Sequence, residues 1–178
     1  MRKRRFCGNR ALYRRLLLDK DYVDVRFDVK SGGVSAVHKY HRFDQQRGPY
    51  GTKRGEYEKR AVDVLRRKGN IVLLDSERPM LGTKTPDGIL NGTLMEIKAV
   101  ESAGHWAIRR KLFQAAMQGA ACVILYFPER GLYSSKRIQD GLEMFLNDPQ
   151  NKSDLQGQIS RIVVVVEERI AEIKKPPW

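Results

Sequence analysis

Apolar residues recur in two rhythms along this chain, and the switches between them mark its elements. From Tyr22 to Val29 they alternate, with Val23, Val25, Phe27 and Val29 on one side, as a half-buried strand requires. Ser31-Gly32-Gly33 supplies turn chemistry and Val34 to His38 can return as a second strand, which predicts a β-hairpin. From Gly55 to Lys68 the rhythm becomes helical: Tyr57, Ala61, Val64 and Leu65 share one face, and Gly69-Asn70 is the stop. Ile71 to Leu74 reads as a short strand and Pro79 to Pro86 as a loop. Gly88 to Leu90, Asn91-Gly92 and Thr93 to Val100 read as a second hairpin with a favoured turn. A helix over Ala107 to Gly119, a buried strand over Cys122 to Phe127, a helix over Ser135 to Leu146 and a last strand over Ile162 to Val166 follow. The end, Lys174 to Trp178, reads as unstructured.

This order predicts an α/β sandwich around a mixed sheet. A chain of 178 residues fits one domain with a single sizeable core. The expected division is a basic N-terminal extension carrying the first hairpin over 1–47, a catalytic domain over 48–170, and a tail over 171–178. No repeat at solenoid periods is found.

Charge adds a partner to this picture. Lys and Arg total 34 against 21 acidic residues, a formal charge of +13, and such an excess draws a protein to polyanions through counterion release. Nucleic acid is the first partner to consider, although charge alone does not separate it from an anionic membrane or from a merely soluble basic protein. No run approaches the roughly 18 apolar residues that span a bilayer, and Met1 to Arg5 leads into no apolar signal core. The expectation is a protein working in water, in the cytoplasm, without a membrane partner. Two cysteines, Cys7 and Cys122, are too few for a disulfide framework, and the apolar run 121–125 predicts a buried thiol at Cys122.

The candidate chemistry lies on the second hairpin. Glu96 and Lys98, two apart on a strand, share a face, and across the Asn91-Gly92 turn Asp87 lies close enough to converge with Glu96. Two carboxylates side by side repel unless a cation joins them. A divalent metal between Asp87 and Glu96 would relieve that repulsion, polarise a phosphate oxygen and lower the pKa of a bound water. Lys98 could orient or deprotonate the water, or stabilise developing charge. This is phosphodiester hydrolysis chemistry. A third carboxylate comes from the first core helix. At about 100° per residue, Glu58 lies about 60° from the centre of the apolar face and Glu56 about 140° from it, so Glu58 borders the sheet while Glu56 reads as solvated surface.

Pro86-Asp87, eight intervening residues and Glu96-Ile97-Lys98 resemble the signature of the PD-(D/E)XK nuclease superfamily. The resemblance implies a restriction-endonuclease-like mixed β-sheet flanked by helices, here with an N-terminal β-hairpin extension, and a catalytic set of Glu58, Asp87, Glu96 and Lys98. Glu58, Asp87 and Glu96 would be the metal ligands, with Mg2+ the expected ion and Mn2+ or Zn2+ alternatives. Archaeal Holliday-junction resolvases of the superfamily look similar around Glu58, Ala61, Val64, Leu65 and Gly69. A closer resemblance runs from Gly55 to about Leu125. Gly55-Glu56-Tyr57-Glu58, the Lys-Thr-Pro-Asp run Lys84 to Asp87, Glu96-Ile97-Lys98 and the basic helix Ile108 to Leu112 look like the C-terminal tRNA-nuclease domain of contact-dependent growth-inhibition toxins. That implies a metal-dependent RNase acting on tRNA, with a neutralising immunity protein as a further partner. The segment before His41 departs from the toxin core. A DNA endonuclease of resolvase or mobile-element type and a non-catalytic nucleic-acid-binding module stay open as alternatives, and the pattern does not fix the oligomeric state.

Other residues are weighed beside this set. Arg109, Arg110 and Lys111 could grip phosphates just after the catalytic strand, although a charge run on a helix is commonly a solvated face. Gln114 and Gln118, one turn apart, could reach the site, but surface glutamines are the commoner case. His38, His41 and His105 would build a zinc site or a metal-free RNase centre only if a turn brought the first two together, since residues three apart on a strand face opposite ways. Trp106 and Tyr57 read as core or boundary residues rather than base-stacking platforms.

Overall fold

A computed structural model of the chain describes residues 2–76, 85–148, 155 and 157–174, with side chains from residue 6 onward. Most of the expected 79–86 loop lies outside these residues, as do Lys84 of the Lys-Thr-Pro-Asp run and 175–178 of the expected tail.

Eight strands form one mixed sheet whose spatial order follows the chain: β1 (Tyr22–Phe27), β2 (Val34–His38), β3 (Ile71–Leu74), β4 (Gly88–Leu90), β5 (Thr93–Ala99), β6 (Cys122–Phe127), β7 (Arg161–Val166) and β8 (Arg169–Lys174). Strands β2–β3, β5–β6 and β6–β7 pair in parallel and the rest antiparallel. Each parallel join needs a crossover. Helices α2 (Arg54–Arg67), α3 (His105–Met117) and α4 (Ser135–Leu146) supply the three. Helix α2 covers one face, against Val72, Met95, Ile97, Ile124 and Val163, while α3 and α4 cover the other, against Val123, Leu125, Ile162 and Val164. Strand β6 is buried at every position because both its faces are covered, which is why it reads as an unbroken apolar run.

Register on β5 is what aims the candidate chemistry. Met95 and Ile97 are packed in the α2 core, so Glu96 and Lys98 point to the other face. A slip of one residue would put the charged pair into the core and the two apolar residues outside, so hydrophobic burial itself locks the orientation. The turn at the far end is clamped as well. Asn91 and Gly92 take positive φ (51° and 87°), as a tight hairpin turn demands. Asn91 Oδ1 accepts the Ile71 N–H at 2.9 Å, and its Nδ2 donates to Asn70 Oδ1 at 2.8 Å. Helix α2 ends as expected, Gly69 adopting φ +81° and Asn70 Nδ2 capping the Leu65 carbonyl at 2.9 Å.

Three features differ from the sequence reading. A helix, α1 (Arg2–Leu18), precedes the first hairpin; Leu12, Tyr13 and Leu16 seat it on β1–β3, and a narrow apolar stripe among arginines hid it. The hairpin does not stand apart from the core, because β2 pairs in parallel with β3 and so belongs to the main sheet. Its alternation is broken by a bulge at Asp24 (φ 51°): Val25 and Phe27 face α1, whereas Val23 and Val29 are exposed. Finally, 171–174 of the expected tail lie in β8, which pairs antiparallel with β7.

Candidate functional site

Strand β4 pairs with β5 only as far as Gly88↔Met95, while β5 continues to Ala99. Gly88 permits this geometry: a Cβ there would lie 2.0 Å from the Leu73 carbonyl oxygen, so the chain beside Asp87 passes closer to β3 than any side chain allows. Where the ladder stops, side chains replace it. The Asp87 N–H donates to Glu96 Oε2 at 2.9 Å, and the Ile97 N–H donates to Asp87 Oδ2 at 2.7 Å. Lys98 Nζ donates to Glu96 Oε1 and, at 2.9 Å, to Gln118 Oε1 on α3. Asp87, Glu96 and Lys98 are thus brought together as the hairpin reading expects.

Glu58 joins them from α2. Together with Asp87, Glu96 and Lys98 it lines one cleft of about 1120 Å³, whose wall also includes Arg42, Arg54, Lys111, Gln114 and Gln118. Glu56 is exposed and paired with Lys59 at 2.8 Å, as the helix-face argument requires. The Glu58 carboxylate is met at Oε1 by His41 Nε2 at 2.8 Å. Arg54, one helical turn before Glu58, is held by Glu101 at 3.0 Å.

The site is electrostatically strained toward protons or cations. Burial, and then the Glu58 charge, raise the Asp87 carboxyl to about 7. Burial, and then the Asp87 charge, raise Glu96, which is 1% exposed, likewise to about 7. Lys98 and the hydrogen bonds from backbone N–H groups oppose both shifts without cancelling them. On the opposite wall Lys111 is pulled below the usual lysine range, by burial first and the neighbouring Lys98 charge second.

Of the three consecutive basic residues, Lys111 alone lines the cleft. At about 100° per residue the three cannot face one way. Arg109 pairs with Asp148 and lies over the Trp106 ring, 5.7 Å from its centroid; Arg110 is exposed. Gln118 reaches the site, where it accepts from Lys98, while Gln114 is exposed as the surface reading has it and lines the cleft from its rim; their spacing of seven and three from Lys111 is the helical signal that places all three on one stripe. Arg54 carried a similar signal, four residues before Glu58, and Arg42 carried none. Trp106 is 62% exposed rather than core, whereas Tyr57 is buried. The three histidines are not gathered: His41 binds Glu58, His38 packs between Tyr22 and Tyr40, and His105 lies against Trp106. Cys122 is buried as expected.

A second cleft beside α2, about 670 Å³, is lined by charges already paired with one another, among them Arg67–Asp63, Lys59–Glu56 and Arg26–Asp24. It offers no convergent chemistry. Among the described residues no three His, Cys, Asp or Glu side chains form a ready-made metal cluster, and no helix is long and apolar enough to cross a membrane.

No family model matches the chain, and no curated protein matches it. Among solved structures it is similar to a chain of the CdiA-CT/CdiI toxin and immunity complex from Burkholderia pseudomallei, with a TM-score of 0.51 and 18% identity over 80% of this chain and 99% of that one. At this identity the likeness is one of fold. It meets the toxin resemblance of the sequence on that ground: the fold is similar to that of a chain of a toxin and immunity complex.

Proposed function

We propose that the protein is a metal-dependent endonuclease of toxin type, with a restriction-endonuclease-like PD-(D/E)XK core, that cuts structured RNA, tRNA in preference to duplex DNA. The observation that carries this reading is the convergence of Asp87, Glu96 and Lys98, hydrogen-bonded to one another, with Glu58 on the wall of a cleft that also carries Arg42, Arg54 and Lys111. The cleft is lined mostly by charged and polar side chains, which suits a polyanion with a bound cation. Its donor set fits a divalent cation, since burial disfavours the charge of both Asp87 and Glu96, and the Glu58 charge adds to this at Asp87 and the Asp87 charge at Glu96. Magnesium, or manganese or zinc in its place, would be held by Glu58, Asp87 and Glu96, and would supply Lewis-acid polarisation of a phosphate oxygen and a water of lowered pKa.

The chain's own groups do the rest. Glu96 and Gln118 hold the Lys98 ammonium at the cleft, where it orients the attacking water or neutralises charge developing on the phosphate. Lys111, Arg42 and Arg54 bind the phosphate backbone, which gives affinity without choosing a sequence. The preference for tRNA, and an immunity protein as a neutralising partner, rest on the toxin resemblance and on the fold shared with a toxin and immunity complex.

The test incubates wild-type and Asp87→Ala protein with total tRNA, plasmid and a four-way DNA junction at one salt concentration, each with magnesium and with chelator. Cutting of tRNA by the wild type alone, and with metal alone, is expected. Cutting confined to the DNA substrates replaces the RNase reading with a DNA endonuclease, binding to all three without cutting makes the protein a binding module, and undiminished cutting by Asp87→Ala or Lys98→Ala overturns the site.

A further inference from the structure

His41 belongs to no motif, and its ring is the most completely enclosed polar group at the site: the side chain is fully buried, with a ring edge against Phe43 at 4.8 Å. Both ring nitrogens are engaged. Nδ1 lies 2.9 Å from the carbonyl oxygen of Asp75, and because a carbonyl only accepts, Nδ1 carries the proton and donates it. Nε2 lies 2.8 Å from Glu58 Oε1; with Nδ1 protonated, donation from Nε2 to the Glu58 carboxylate takes the imidazolium form of the ring, a charge-assisted bond of the stronger kind. With both nitrogens so engaged, the ring is arranged to hold other groups rather than to ligate a metal itself.

What it holds is the point. Asp75 closes β3, and its N–H donates to the Asp87 carbonyl at 2.9 Å. The Asp87 N–H donates in turn to Glu96, and Glu96 accepts from Lys98. A hydrogen-bonded path therefore runs from Glu58 on α2 through His41, the end of β3 and the start of β4 to the catalytic pair on β5. His41 links the helix to the strands at Glu58, while Asp87 and Glu96 are fixed to each other by backbone groups.

We propose that His41 is a positioning residue of this centre, holding Glu58 in register with Asp87 and Glu96, so that three carboxylates from separate elements meet at a single cation. The proposal rests on the metal-dependent reading of the site. Its test is Mn2+ binding measured by calorimetry without nucleic acid, beside cleavage kinetics with Mn2+, for wild type, His41→Gln, His41→Leu, Glu58→Ala and the double variant His41→Leu with Glu58→Ala.

Gln and Leu both refill the buried space, but only Gln can donate to Glu58. His41→Leu should bind Mn2+ about 10- to 100-fold more weakly, the usual cost of losing an outer partner of a metal ligand. Its kcat should fall in step, with KM for nucleic acid unchanged within about twofold, and His41→Gln should recover most of the loss. On a Glu58→Ala background, His41→Leu should weaken binding no further, because its effect passes through Glu58. Wild-type affinity in His41→Leu, an equal loss in His41→Gln, or a full additional loss on the Glu58→Ala background each overturns the proposal. Should His41→Leu fail to fold, His41→Asn, too short to reach both partners, takes its place. Wild type that binds Mn2+ but cuts nothing removes the nuclease reading and leaves the His41 effect measurable; wild type that binds no Mn2+ removes both.

Discussion

Helices α2 and α3 border one cleft from opposite faces of the sheet and bring it different chemistry. Helix α2 offers a carboxylate, Glu58, met by a buried histidine, with Arg54 one turn before it; α3 offers a cation and two amides, Lys111, Gln114 and Gln118, on a single stripe. The acidic side is fixed by short bonds to enclosed partners, whereas the basic side reaches in on long side chains. On the proposed function, burial concentrates charge where a cation would be held in a set geometry, and reach suits a phosphate backbone that arrives in many conformations.

The comparison breaks first at Glu58. Replacing it with Gln should cut cleavage by at least about 100-fold, the upper range for even an outer partner of a metal ligand, while Glu56→Gln should stay within about twofold. Equal losses in the two variants, measured as kcat/KM on tRNA, would show that the helix face is misread.

The next test concerns the strained carboxyls. Asp87 and Glu96 are raised in the folded protein to about 7, well above their unfolded values near 4. Their contribution to stability is therefore full below about pH 4 and lost as pH rises through about 7. In chelator the protein should lose on the order of a few kcal/mol of stability from these two groups between pH 5 and pH 8. Magnesium should recover more at pH 8 than at pH 5. Urea unfolding at both pH values, with and without magnesium, reads this directly, and a flat response would contradict the burial-raised carboxyls.

On the basic side smaller effects are expected. Lys111→Ala should weaken nucleic-acid binding by about tenfold and reduce the salt-dependence slope by about 1, as the loss of one phosphate contact does. Arg109→Ala should change that slope less, since its guanidinium is committed to Asp148. Anisotropy titrations across a salt series separate the two. Smallest of all, Gln118→Ala should lower kcat a few-fold by freeing Lys98, with binding unchanged.

Much of this site was legible in the sequence because its signals are local. The Asn91-Gly92 turn and the inward Met95 and Ile97 set the convergence of Asp87, Glu96 and Lys98 from a dozen residues, and the apolar face of α2 singled out Glu58 over Glu56. What escaped depends on distance along the chain. His41 meets Glu58 across 17 residues and Asp75 across 34, with no periodicity to announce either contact. Helix α1 escaped for another reason, its inward face being only a few residues wide. Strand β8 is hard to read because a short alternation after a strong buried strand looks like a fraying end until its partner, β7, is known. The bulge at Asp24 broke an alternation that looked regular on paper.

That bulge has a consequence for how the molecule keeps company with itself. An open sheet ends in two rows of unsatisfied backbone groups, each a template on which another chain can build. At one margin β1 carries the bulge and the Asp24–Arg26 pair, which kink and charge the row. At the other, β8 sets Arg169, Glu172 and Lys174 among its apolar residues. Both margins are poor templates, so a sheet of eight strands can be held at working concentrations without zipping onto its neighbours.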